Sequence, residues 1–341
     1  MISLDIAQIT AAPERSAFEE FEPSREAFLR LHRIASAADV SPLRYPGGKR
    51  KLAVLIAQIF ATAKRRPKIV VEPFAGGASV SIALLEAGFT DAIALADRDI
   101  MVASFWRTVF SDRAEELAHR VEKAKVSLEE RDRIIKYKPR TDLGRAFQCL
   151  YINRTSFSGI INKRAGAIGG RAQDGKYTIG CRFNQDRIAS RIRHLSKLKN
   201  QVRFVKHQSY ENTIAEVRDH VGASMGEEDI FWYLDPPFFE KADRLYRHVF
   251  DDDGHRGFRL ALDTIPGQFV LSYDDVKSAQ ELYGDDPRSM AVSMVYSAAE
   301  NNRPTQEIIV SNLLATTGAK ISVNARTRFI KDKPVPRRIR S

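Results

Sequence analysis

Residues 68–88 read KIVVEPFAGGASVSIALLEAG. KIVVE (68–72) is a short apolar run rich in Val and Ile, the pattern of a buried strand. Two glycines then mark a turn, and ASVSIALLEAG (78–88) has a helical pattern. AIALA (92–96) reads as a second strand that ends at Asp97. QVRFV (201–205), DIFWYL (229–234), QFVLS (268–272), SMAVSMV (289–295) and EIIVSN (307–312) are further strand candidates, with helical patterns between most of them. This alternation predicts an α/β fold with a mostly parallel sheet covered on both faces.

At 341 residues the chain has room for about two to three domains, or one large domain with an insertion. Its 43% hydrophobic content supports a real core. The formal net charge of +11 points first to nucleic acid and second to an anionic membrane, while a positive surface also serves solubility. The two cysteines, Cys149 and Cys181, exclude a disulfide framework and supply no CxxC metal spacing. Two thiols fit a cytoplasmic protein. The N-terminus lacks a signal-peptide apolar region, and no run of about 18 apolar residues predicts a membrane span.

Residues 1–40 read as an N-terminal extension with a short amphipathic stretch, EAFLRLHRIA (26–35). Residues 319–341 read as a basic tail; 326–341 carry seven Lys/Arg against one Asp. Between them, 41–111 and 200–318 form one α/β body, interrupted by 112–199. That interruption is helical to about 153 and then holds GIINKRAGAIGGRAQDGKYTIGCRF (159–183), read as a hairpin or long loop. Residues 154–199 hold eleven Lys/Arg and two Asp, a density of like charge that a polyanion would relieve.

Three stretches carry chemistry. In VVEPFAGGASV (70–80) a strand feeds a glycine turn and a helix N-terminus, which suits a nucleotide or nucleoside, although such a turn also serves plain packing. Asp97, at the end of the next strand, stands where a doubly wound site holds a ribose. RYPGGKRKL (44–52) is not a P-loop, because position 43 is Leu. Tyr45 and Lys49 beside its glycines suit a lid over a flat cofactor with Lys49 on a carboxylate, or equally a turn with a solvated lysine. In LDPPF (234–238) Asp235 ends a central strand, and Pro236 and Pro237 stiffen the chain so that carbonyls can face a ligand. Asp235 and the Pro236 carbonyl can accept the two hydrogens of an exocyclic amine, and Phe238 can stack on its ring.

In order, RYPGGK, VEPFAGGASV, ALADRD (94–99), CLYINRTSFSGIINKR (149–164), YLDPPF and EIIVSN resemble the Dam-like adenine-N6 DNA methyltransferases of the D12 class, with α-group motif order, over about residues 42–315. The resemblance implies a Rossmann-like S-adenosylmethionine-dependent methyltransferase sheet with an inserted helical plus β-hairpin target-recognition domain. It implies S-adenosyl-L-methionine as methyl donor, duplex DNA as partner, flipping of the target adenine, and no metal. It assigns Asp235, Pro236, Pro237 and Phe238 to catalysis. Tyr45, Lys49, Phe74, Gly76, Asp97 and Asp235 go to the cofactor. Asn153, Arg154, Lys163 and Arg164 go to DNA contact or to bracing the hairpin. Two positions depart from the family pattern: Phe238 stands where DPPY has Tyr, and Ala78 stands where the cofactor loop commonly has its last Gly.

Other readings are an rRNA methyltransferase, since DPPF also occurs in guanine-N2 enzymes that lack PGGK and the insertion, or cytosine-N4 methylation, which more often has Ser at the Asp235 position. A DNA-binding homologue without turnover is a third. A monomer is the default expectation, and any restriction partner is unspecified.

Overall fold

The computed structural model describes residues 21–37, 39–45, 49–62, 66–162, 165–220, 225–239, 245, 247–294 and 305–313. The expectations for residues 1–20, the basic tail, Lys163 and Arg164 lie outside these. Seven strands form one sheet: β1 (Ile69–Glu72), β2 (Ala92–Asp97), β3 (Val202–His207), β4 (Ile230–Leu234), β5 (Gln268–Asp274), β6 (Ser289–Met294) and β7 (Thr305–Ser311). Each lies where an apolar run predicted it. Their order is β3-β2-β1-β4-β5-β7-β6. The first five are mutually parallel, and β7 enters antiparallel between β5 and β6. This mixed α/β sheet is consistent with a methyltransferase fold.

Eleven α-helices are found among the described residues: α1 (Arg25–Ser36), α2 (Leu52–Thr62), α3 (Ser79–Ala87), α4 (Ile100–Val109), α5 (Ala114–Glu122), α6 (Leu128–Lys136), α7 (Asp142–Thr155), α8 (Gln185–Ser196), α9 (Tyr210–His220), α10 (Asp252–Ala261) and α11 (Lys277–Tyr283). Strand alternation sorts the core into two layers. On β1, Val70 joins the layer built with α1–α8, while Ile69 and Val71 join the layer built with α9, α10 and α11.

One expectation changes. The stretch 26–35 is not a loose appendage: α1 docks on α2 and α3, with Leu31 and Ala35 buried. A fully buried leucine contributes roughly 1.5–3 kcal/mol to that docking. The insertion helices do not make a core of their own. Leu117 on α5, Leu150 on α7 and Ile192 on α8 share one apolar layer with Trp106 on α4.

Of the hairpin or long loop expected over 159–183, the described residues show the loop, with one isolated bridge between Ser156 and Ala167. Beyond it the chain turns, with positive φ at Gly169, Gly170 and Gln173. The Gln173 side chain takes the backbone groups that a ladder would have used. Its Nε2 donates to the carbonyls of Ile168 (2.8 Å) and Gly170 (2.6 Å), and its Oε1 accepts from Ile179 N–H (2.7 Å). Left-handed glycines bend the run out of strand geometry, and a local side chain then satisfies it.

Candidate active site

The strand order reverses between β1 and β4, and ligands of open α/β sheets bind beyond the carboxyl ends at such a point. A cleft opens there, lined from the ends of β1, β2 and β4, from Tyr45 and Lys49, and from residues 247–250. It encloses about 850 Å³ of space, open solvent at its mouth included.

The glycine turn after β1 forms one wall. Gly76 has φ +42°, and a Cβ there would stand 2.8 Å from Cε1 of Tyr45. The buried Trp106 indole N–H donates to the Gly76 carbonyl at 2.8 Å, and the Gly76 N–H donates to Asp97 Oδ2 at 2.9 Å. Asp97 Oδ1 accepts from Asp99 N–H at 2.7 Å. The predicted cofactor residues Tyr45, Phe74, Gly76 and Asp97 therefore do converge. Phe74 packs its ring against Tyr210, Phe250 and Phe258 while lining the cleft. Ala78 holds a left-handed φ of +47° at the α3 N-cap and is buried.

Burial, reinforced by the Asp99 charge and opposed by the two backbone N–H donors, pushes the Asp97 carboxyl up to about 7. Glu72, at the end of β1, is pushed up to about 8 by burial, against the lowering effect of its hydrogen bond from Ser81.

Opposite stands Asp235. Its Oδ1 lies 3.1 Å from Lys49 Nζ, whose other neighbour is Glu307 Oε2 at 2.7 Å. Ser272 Oγ approaches the same Oδ1 at 3.4 Å. Burial alone would lower the Lys49 ammonium, but the two carboxylates outweigh it and hold it well above the usual lysine value. Burial raises the Asp235 carboxyl, and Lys49 opposes that. Lys49 is 3% exposed, so a solvated lysine does not describe it; it lines the cleft with its ammonium between the two carboxylates. It also sits 5.7 Å from the Phe238 ring centroid. Pro236 is buried, and Pro237 and Phe238 are partly buried.

Residues 247–250 cross the far rim. Arg247 Nη1 pairs with Asp99 Oδ1 at 2.9 Å and ties this strap to the α4 N-cap. Nothing in the sequence marked that pair.

Asn153 and Arg154 face the protein. Asn153 is fully buried: Nδ2 donates to the carbonyls of Arg44 (2.8 Å) and Gly159 (2.6 Å), and Oδ1 accepts from Arg44 N–H (2.7 Å). Arg154 Nε donates to the Pro42 carbonyl at 2.6 Å, and burial lowers its guanidinium to about 10. The last turn of α7 thus grips the segment that delivers Tyr45. Gly159, at φ +76°, is required there because a Cβ would stand 1.9 Å from the Arg44 carbonyl oxygen.

Five of the eleven cations in 154–199 are paired inside the protein. Arg171 pairs with Asp132, Arg187 with Asp39, Arg191 with Glu86, Arg193 with Glu115 and Glu122, and Lys199 with Asp112. The self-repulsion read from composition is reduced by these pairs. Lys176 and Arg182 differ: they flank the exposed ring of Tyr177, at 5.8 Å and 6.0 Å, and among the described residues neither forms an ion pair.

Sequence reasoning passed over Glu72, Asp99, Ser272 and Glu307. Glu72 and Glu307 carried a signal, an acid at the end of an apolar strand run. Among the described residues no group of three or more His, Cys, Asp or Glu is arranged to hold a metal ion, and no helix is long and apolar enough to cross a membrane.

A family model described as D12 class N6 adenine-specific DNA methyltransferase matches residues 45–297. A comparison with curated proteins finds no match.

Proposed function

The chain belongs to the D12 class N6 adenine-specific DNA methyltransferase family, and from that premise we propose that it methylates N6 of an adenine flipped out of duplex DNA, with S-adenosylmethionine as donor. The observation that carries the reading is the meeting of Asp235, at the end of β4, with the Gly76–Asp97 wall in one cleft. The residues fit the donor. The Gly76 turn lets the Tyr45 ring pack directly on the backbone of the cleft wall, and Asp97 offers carboxylate oxygens for ribose hydroxyls. Tyr45 and Phe74 offer apolar faces. Two acids, the partly buried Asp97 and the buried Glu72, suit a cationic ligand. When bound, S-adenosylmethionine supplies a methyl group on a positively charged sulfur.

The chain's own work lies on the amine. The N6 lone pair of adenine is delocalised into the ring and is a weak nucleophile. Asp235 Oδ and the Pro236 carbonyl accept the two amine hydrogens, which draws the lone pair back onto nitrogen. Asp235 and Glu307 together face one ammonium, Lys49. The excess of carboxylate stabilises positive charge as it develops on the amine. Phe238 gives the flipped base a stacking face, worth roughly 1–3 kcal/mol, which offsets part of the cost of unstacking. Residues 112–199 act as the DNA-recognition unit, with Tyr177, Lys176 and Arg182 as its outward contact. Work on chromosomal or phage DNA sets this reaction in the cytoplasm.

The test is transfer of labelled methyl from S-adenosylmethionine to duplex DNA and to rRNA, followed by nucleoside digestion. Label in N6-methyladenosine from DNA is expected. Label only from rRNA, or cofactor binding with no label in either, would replace this reading.

A further inference from the structure

Glu307 opens the apolar run of β7 and is 4% exposed. Its followers Ile308, Ile309 and Val310 are all buried. Its cross-strand neighbour on β5 is Asp274, another acid. A buried carboxylate opposite a like charge costs stability unless it is paired. Packing of the sheet gives no reason for an acid here. The partner is Lys49 Nζ, 2.7 Å away, and the same Nζ reaches Asp235 Oδ1 at 3.1 Å.

We infer that Glu307 is a positioning residue for methyl transfer: it shares Lys49 with Asp235, so that the ammonium fixes the Asp235 carboxylate without neutralising it. This rests on the reading of Asp235 as the amine acceptor. Alone with Lys49, Asp235 would sit in a neutral pair, its oxygen committed to a full ammonium. Its pull on an amine hydrogen would weaken, and developing positive charge would face a site of no net charge. Glu307 draws Lys49 to the far side and leaves one carboxylate in excess. The other groups facing Asp235 are Glu72 from β1 and Ser272 and Tyr273 from β5. None is a second cation. Glu307 lies beyond the residues that the family model matches.

The experiment is single-turnover methyl transfer to duplex DNA, at saturating donor and DNA across pH 5.5–9, for the full chain, Glu307→Gln and Glu307→Asp. In Glu307→Gln the rate should fall at least about tenfold. KM for donor and DNA should stay within about twofold, because the effect lies in the transition state. The acid limb of the profile should move to lower pH, since Asp235 then carries the whole Lys49 charge. A merely structural role would lower the rate without moving that limb. Glu307→Asp, which keeps the charge one methylene shorter, should recover part of the rate. If Glu307→Gln does not fold, Glu307→Asp decides: a reduced rate with the limb moved in the same direction supports the inference. A wild-type rate and limb in the folded variant would overturn it. A wild-type protein that transfers no methyl to DNA would instead overturn the reading of Asp235 on which it rests.

Discussion

The ring of Tyr45 lies over Gly76, with Cε1 2.8 Å from the point where a Cβ on Gly76 would stand. Two motifs far apart in sequence thus share one surface of the cleft, and glycine is what lets them meet. Gly76→Ala must strain a left-handed φ, at about 1–3 kcal/mol, and push the ring aside. We expect donor affinity to fall at least about tenfold, read by calorimetric titration. Unchanged affinity would show that Tyr45 does not contribute to the cofactor site.

Ala78 has φ +47°. A left-handed alanine costs roughly 1–2 kcal/mol, and glycine in its place adds about 0.4–1 kcal/mol of freedom to the unfolded chain. Ala78→Gly should therefore stabilise the protein by up to about 1 kcal/mol in denaturant unfolding and leave donor binding intact. The departure from the family's glycine pattern is then a matter of strain rather than of lost function.

Burial raises Glu72 to about 8 from an ordinary value of 4.5. The folded protein holds this proton where the unfolded chain has released it. The stability it contributes is complete below about pH 4.5 and is lost as pH rises through about 8. Glu72→Gln keeps an acceptor for Ser81 without the titration. In the absence of donor its Tm should exceed the wild-type value at pH 8.5, and its Tm should vary less with pH. Parallel Tm–pH curves for the two proteins would contradict this.

Lys176 and Arg182 flank an exposed aromatic, whereas Arg193 is tied to Glu115 and Glu122. Loss of a phosphate contact lowers the slope of log K against log salt by about 1. Lys176→Ala and Arg182→Ala should each do so in DNA-binding titrations. Arg193→Ala should leave the slope unchanged. The reverse pattern would move the DNA contact to α8.

All seven strands were legible because each is a short apolar run closed by turn residues, and the cleft followed from where those runs end. Gly76, Asp97 and Asp235 could be placed at the cleft because they follow or end those runs, whereas Tyr45 came from the RYPGGK stretch. What was hidden depends on partners distant in the chain. Counting charges over 154–199 predicted repulsion, but Arg193 meets Glu115 and Arg191 meets Glu86 across helix interfaces that composition does not reveal. Asn153 was read as a DNA contact or a brace for the following segment; its amide is bonded to Arg44 and Gly159, partners that residue type alone could not name. Lys49 was visible, but its two carboxylates come from β4 and from the antiparallel β7. The glycines of 159–183 left a hairpin and a long loop both open. Their left-handed angles and the Gln173 side chain produced turns.

The most direct measurement compares labelled methyl transfer to duplex DNA by the full chain and by Asp235→Ala, after donor affinity shows that the variant still binds S-adenosylmethionine. Label should appear in N6-methyladenosine with the wild-type chain, and the variant should be slower by at least about a thousandfold. Transfer by Asp235→Ala at the wild-type rate would contradict the account.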